Sequence, residues 1–176
     1  MDSDVILVDD SDREIGTAEK MSAHQHGGKL HRAFSIFVFN SKGETMLQRR
    51  AETKYHGAGL WTNTTCSHPM PGEDVMHAAH RRLKEEMGFD CSMKEVFSFT
   101  YEADMGNGLT EHEFDHVIFG DHNAAPRPNG EEVSNWKWIT LAGLDEDIRK
   151  NPKVYSPWLR IVLGRVMKER APKAAK

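Results

Sequence analysis

The chain has 176 residues, 38% of them hydrophobic and 28% charged, with a formal net charge of −4 at pH 7. That length suits one domain with a full hydrophobic core rather than two. The acidic balance argues against a general nucleic-acid binder, and no apolar run approaches the roughly 20 residues needed to span a bilayer.

The opening "MDSDVILVDD" is acidic and carries only a short apolar patch. It does not read as a secretory signal, so the expected compartment is the cytoplasm, where Cys66 and Cys91 stay as thiols. "AFSIFVFN", Ala33 to Asn40, is β-branched and aromatic, and "SKGE" supplies a turn into "TMLQRRA". The expectation is a hairpin. In "GEDVMHAAHRRLKEEMG", Met76, Ala79, Leu83 and Met87 fall at helical spacing and Gly88 ends the run. Cys91 then reads as a small buried hydrophobe. Strands are expected over Glu111–Gly120 and Ser134–Leu141, separated by a surface loop, "NAAPRPNGEE". Ser156 caps a last helix with Pro157 at its first position and an apolar stripe of Leu159, Val162, Leu163 and Val166. The tail over 171–176 is expected to fray. With no repeat and no linker, residues 1–176 read as one mixed α and β domain, expected to be a monomer.

Residues two apart on a strand leave the same face, so Glu111 and Glu113 point one way with Asp115 continuing the row. Such a row is ordinarily a solvated acidic face. It becomes a candidate metal site because the chain has ten histidines, including His24, His31 and His68. Three neutral imidazoles and two carboxylates suit a divalent transition metal, with Mn²⁺, Zn²⁺ and Fe²⁺ all acceptable. Arg82 and Glu86 are four apart and share a helical face, as do Arg81 and Glu85. Lys20, Lys29, Arg32, Arg49, Arg50 and Lys54 concentrate positive charge in the first third of the chain. Cations beside a carboxylate metal site suit a small polyphosphate bound through arginine forks and a bridging Mg²⁺.

"SHPMPGEDVMHAAHRRLKEEMGF", Ser67 to Phe89, resembles a degraded Nudix box: Glu73, Arg81, Leu83, Glu85, Glu86, Gly88 and Phe89 match, whereas Ser67 and Arg82 replace a glycine and a glutamate. With "WTNTTCSHP", "LTEHEF", "AEKMSAHQHGGKLHRAF" and "YSPW", the stretch from about Val5 to Met167 resembles the type 1 isopentenyl-diphosphate isomerases. The resemblance implies an α+β fold, a Nudix-like α/β/α sandwich with a mixed sheet. It implies catalytic roles for Cys66 and Glu113, with Tyr101 hydrogen-bonded near the glutamate. His24, His31, His68, Glu111 and Glu113 would hold a second divalent metal, Mn²⁺ or Zn²⁺, and Glu86 a Mg²⁺ shared with the substrate diphosphate. Lys20, Arg50, Lys54 and Arg82 would engage the diphosphate, and Trp158 would lie over the hydrocarbon. One departure is Ala58 in "HGAGLW", where the family commonly has proline.

Moving the double bond of isopentenyl diphosphate adds a proton to one carbon and removes one from another. A metal-anchored Glu113 and a Cys66 thiolate, its pKa lowered by nearby cations, are expected to flank one dry slot, and the indole of Trp158 to steady the positive charge. Without the resemblance, Trp158 reads as an ordinary core aromatic. Two other functions use the same residue types: a Nudix hydrolase cleaving a diphosphate, and a non-catalytic metal-stabilised binding module.

Overall fold

A computed structural model describes residues 4–171, so the tail expected to fray lies, beyond Ala171, outside the described residues. Strands β1 (Val5–Val8) and β2 (Glu14–Ala18) pair antiparallel, and a five-residue helix α1 (Lys20–His24) follows, capped by the Glu19 carboxylate. Strand β3 (His31–Phe39) runs through the middle of the sheet. It pairs in parallel with β8 (Leu109–Asp121), from His31 opposite Glu113 to Phe39 opposite Asp121. β8 in turn pairs antiparallel with β7 (Met93–Gly106). On the far side, β4 (Glu44–Arg50) pairs antiparallel with β9 (Val133–Thr140).

The near-continuous apolar run of β3 is explained by burial on both faces. Phe34, Ile36 and Val38 pack with Ala78, Ala79, Leu83 and Met87 of helix α2 (Val75–Met87). Phe37 and Phe39 pack with Leu144 of α3 (Leu141–Lys150) and with Leu159, Val162, Leu163 and Val166 of α4 (Pro157–Arg170). The mixed sheet thus lies between helical layers, an α/β/α sandwich. Ser156 caps α4 ahead of Pro157 as expected, and α2 starts on Asp74, whose carboxylate accepts from the Met76 and His77 amides. Gly88 closes α2 at φ 72°, where a Cβ would also collide with the Arg127 carbonyl.

The expected hairpin of β3 and β4 differs from the observed one. The two strands pair only at Phe39–Thr45 and then splay. The gap is filled by β5 (Trp61–Thr62), paired with β4, and β6 (Thr65–Ser67), paired with β3. Thr64 bridges the opening: its hydroxyl accepts from the Val38 amide at 2.9 Å and donates to the Met46 carbonyl at 2.7 Å. Asn63 Nδ2 donates to the Ile36 carbonyl, and Gln48 Nε2 to the Thr64 carbonyl. The small hydroxylated residues of "TNTTC" therefore satisfy backbone groups that an opened hairpin would otherwise bury unpaired. The segment predicted as a surface loop is also more than that: Pro126 is buried, and the Arg127 and Asn129 amides donate to the Met87 and Glu86 carbonyls at the end of α2. Cys91 is only half-buried against Gly120. No helix among the described residues is long and apolar enough to cross a membrane.

Candidate active site

The β3–β8 register brings His31 beside Glu113, and α1 lays His24 against Glu111, with the two imidazole centroids 4.9 Å apart. His68, just past β6, completes the set. Ligand atoms of His24, His31, His68, Glu111 and Glu113 all lie within 4.8 Å of one another. His24 Nδ1 donates to the Lys20 carbonyl at 2.6 Å and His31 Nδ1 to the Lys29 carbonyl at 2.7 Å. A carbonyl only accepts, so Nδ1 of each ring carries a proton and Nε2 is the nitrogen turned inward, free to hold a metal when the ring is neutral. There His24 Nε2 meets Glu111 Oε2 at 2.9 Å, while His31 Nε2 lies 3.2 Å from His68 Nε2 and 3.6 Å from Glu113 Oε1. Imidazole nitrogens and carboxylate oxygens converge on one point, an arrangement that a cation, whether protons on the rings or a metal, stabilises. The nitrogen and oxygen donors fit a divalent transition metal.

The electrostatics follow from the carboxylate row. Burial raises the Glu111 carboxyl, but the His24 and His56 contacts outweigh it and hold it well below the usual range. Glu113 is lowered too: burial and Glu111 raise it, and the bonds to His31 and His68 outweigh them. Asp115, buried beside them, is pushed well up by burial and by the Glu113 charge. Ser35 Oγ donates to its Oδ2 at 2.7 Å, which opposes part of that rise. Burial lowers His68 to about 4, so its ring is neutral, as a ligand must be.

One cavity of about 60 Å³ is lined by Cys66, His68, Tyr101, Glu111, Glu113 and Trp158, among others. The Tyr101 hydroxyl donates to Glu113 Oε2 at 2.6 Å. Burial and the Glu113 charge raise it well above its usual value and keep that proton in place. Cys66 Sγ lies 3.0 Å from Asn63 Oδ1 and accepts from the Trp158 indole N–H at 3.1 Å. The expected thiolate is not what the surroundings favour. Burial first, then Asp115, pushes the thiol up to about 12, and the single nearby cation, Arg50, does not offset them. Trp158 is buried in the core and also faces the cavity, so both readings of it describe the same side chain.

Lys20, Arg50, Lys54, Arg82 and Glu86 line the same cavity. Arg50 lies with its guanidinium 5.4 Å from the Trp158 ring and gives Nη2–H to the His56 carbonyl. Lys54 pairs with Glu132, and Arg82 bonds Glu85 and Glu86 at 2.7 Å each and reaches Glu132 at 3.4 Å. Those two cations are thus already partnered. Gln48 Nε2 donates to Glu86 Oε2, fixing a nearly buried carboxylate at the cavity wall. Arg81 forks onto both oxygens of Glu73 at 2.7 Å, a structural clasp of the turn before α2.

A model of the NUDIX domain matches residues 29–159. An isopentenyl-diphosphate Delta-isomerase 2 of Aromatoleum aromaticum is 56% identical over 95% of this chain and 88% of its own length. The chain belongs to the isopentenyl-diphosphate Delta-isomerase family. A family member from Pectobacterium atrosepticum is 43% identical over 93% of this chain and 91% of its own. Among solved structures, a Deinococcus radiodurans protein superposes with a TM-score of 0.78 at 20% identity, covering 93% of this chain and 98% of that one. A MutT protein from Methanosarcina mazei gives 0.66 at 20% identity, over 81% and 96%. At that identity the structural likeness establishes the Nudix fold alone.

Sequence reasoning missed several residues that contact the candidate site. Asn63 is the acceptor facing the Cys66 sulfur and signals itself only by lying inside "WTNTTC". Glu132 is paired with two cations. His56 Nε2 lies 3.0 Å from Glu111 Oε1, and no spacing rule links those two positions.

Proposed function

We propose that the protein interconverts isopentenyl and dimethylallyl diphosphate by moving one proton onto the alkene and another off it. The observation that carries this reading is the shared cavity, with the Cys66 thiol and the Glu113 carboxylate on its walls.

One member of that pair delivers a proton to the terminal alkene carbon, leaving a tertiary cation. The other removes a proton from the carbon nearer the diphosphate, and the double bond re-forms one position along. Cys66 as a thiol and Glu113 as a carboxylate hold one exchangeable proton between them, the inventory such a reversible transfer needs. Tyr101 orients Glu113 through Oε2, and the Trp158 ring supplies an electron-rich face worth about 0.5–2 kcal/mol to a nearby cation. The buried walls keep out water that would trap the cation. In this reading His24, His31, His68, Glu111 and Glu113 hold Mn²⁺ or Zn²⁺, which when bound fixes the acidity and orientation of Glu113. Glu86 holds Mg²⁺ together with the substrate diphosphate, and Lys20, Arg50, Lys54 and Arg82 surround the phosphates. The same reading describes a monomeric cytoplasmic enzyme with no nucleic-acid partner, supported by the net charge of −4 and the two free thiols.

Incubation with isopentenyl diphosphate and Mg²⁺ in deuterated water tests it. Deuterium-labelled dimethylallyl diphosphate should form, and Cys66→Ala or Glu113→Gln should abolish it. Phosphate release with an unchanged alkene would make the protein a diphosphate hydrolase instead.

A further inference from the structure

The segment between β4 and β5 carries no regular secondary structure, yet its His56 side chain is 7% exposed and points at the carboxylate cluster. Glu111 has two oxygens with different partners: Oε2 faces His24 at 2.9 Å inside the cluster, and Oε1 faces His56 Nε2 at 3.0 Å. At 3.0 Å the pair is a hydrogen bond in which the imidazole Nε2–H donates to the carboxylate oxygen, and the buried Nδ1 has no hydrogen-bond partner. The imidazole is steadied by aromatic edges, with the Tyr55 ring centroid at 4.3 Å and the Trp158 ring at 6.4 Å. Its own backbone carbonyl accepts from Arg50 Nη2 at 3.1 Å. The loop around it has two left-handed glycines, Gly57 at φ 58° and Gly59 at φ 70°, with Ala58 between them where a proline would have stiffened the turn. The His56 side chain is thus a strong candidate anchor for a segment of little intrinsic rigidity.

We infer that His56 is a positioning residue for the metal centre: it occupies Glu111 Oε1, leaves Oε2 as the single inward oxygen, and thereby fixes both the carboxylate and the loop that seats Arg50. This deepens the metal-dependent reading above and rests on it. Hydrogen-bond partners of ligating carboxylates commonly set metal affinity by about 10- to 100-fold. Glutamine places an amide donor where His56 Nε2 lies, whereas alanine places none.

The experiment is a Mn²⁺ titration read by electron paramagnetic resonance on the wild type, His56→Ala, His56→Gln and His24→Ala, each checked for a wild-type circular dichroism spectrum. His24→Ala should abolish the bound-Mn²⁺ signal of this site, and if it does not, the metal reading itself fails, whatever His56 does. With that control met, His56→Ala should weaken Mn²⁺ by roughly 10-fold or more, change the bound-Mn²⁺ line shape and raise KM for isopentenyl diphosphate, and His56→Gln should restore most of the affinity. Wild-type affinity and line shape in His56→Ala would overturn the inference. Equal losses in the alanine and glutamine variants would overturn it too, because they would make His56 a ligand or a packing residue rather than a donor to Glu111.

Discussion

The two oxygens of Glu113 are divided between two partners: Oε1 lies 2.8 Å from His68 Nε2, and Oε2 accepts the Tyr101 hydroxyl at 2.6 Å. One oxygen therefore faces the histidines of the cluster and the other faces Tyr101. Tyr101→Phe removes the second contact without touching the first. A hydrogen bond to a charged group contributes about 1.5–3 kcal/mol, so kcat should fall roughly 10- to 100-fold. KM and Mn²⁺ affinity should stay near wild type. Steady-state kinetics beside a metal titration separates the two, and a loss confined to metal affinity would contradict this division.

The Cys66 sulfur accepts the Trp158 N–H and faces Asn63 Oδ1. Cys66→Ala should abolish deuterium exchange into the product. It should also destabilise the fold by about 1–3 kcal/mol, because the buried Trp158 N–H loses its acceptor, whereas Asn63 Oδ1 keeps the Thr62 hydroxyl at 3.0 Å. Trp158→Phe keeps an aromatic ring and removes only the donor, so it should retain measurable turnover. Urea unfolding together with the isotope assay checks both.

Removing metal should leave the imidazole nitrogens and carboxylate oxygens of the cluster without that cation. A chelated protein should melt lower than the Mn²⁺-loaded one. At a free metal concentration 100 times Kd the expected gain is about 2.7 kcal/mol. His24→Ala should erase the metal-dependent shift, measured by differential scanning fluorimetry over a Mn²⁺ series.

Glu132 sets an acid limb. Burial raises its carboxyl, but the hydrogen bond and charge of Lys54, with Arg82, hold it below the usual carboxylate range. The folded value is thus below an unfolded value of about 4.3. Its stabilising contribution is complete above that pH and is lost as pH falls through the folded value. Glu132→Gln should flatten the acid side of the stability profile and leave the neutral side parallel to wild type, as read from urea midpoints across the acid range.

The core behind the site makes a conventional demand. Leu83 is fully buried between α2 and β3, so Leu83→Ala should cost about 2–5 kcal/mol. Thermal unfolding checks it.

How much of this was legible depended on the reach of each interaction. Helices α2 and α4 carry their own signals: α2 was readable from its apolar spacing and Gly88, and α4 from Ser156, Pro157 and its stripe. The parallel partner of β3 was not, because nothing local in either strand states that His31 sits opposite Glu113. The five-residue α1 is too short to announce itself and is held by His24 packing under Glu111. Helix α3 was missed although Thr140 caps it, since its polar run "LDEDIRK" hides a single buried leucine, Leu144. The splayed hairpin was misread because the pattern of β3 and β4 is that of an ordinary one. Only the hydroxyl of Thr64, doing the work of a strand amide and carbonyl, reveals the gap. The Cys66 charge state was misjudged for a related reason: cations are visible in a sequence, and desolvation is not.

The parallel pairing of β3 with β8 has a kinetic consequence. Its two strands are separated by the 69 residues from 40 to 108, including α2 and β7, and such long-range contacts are slow to form because loop closure precedes any gain from pairing. His31 and Glu113 can meet only once that pairing is complete and in register. Ion capture should therefore trail chain collapse, and the arrival of bound Mn²⁺ in a stopped-flow refolding trace would time the last step of assembly.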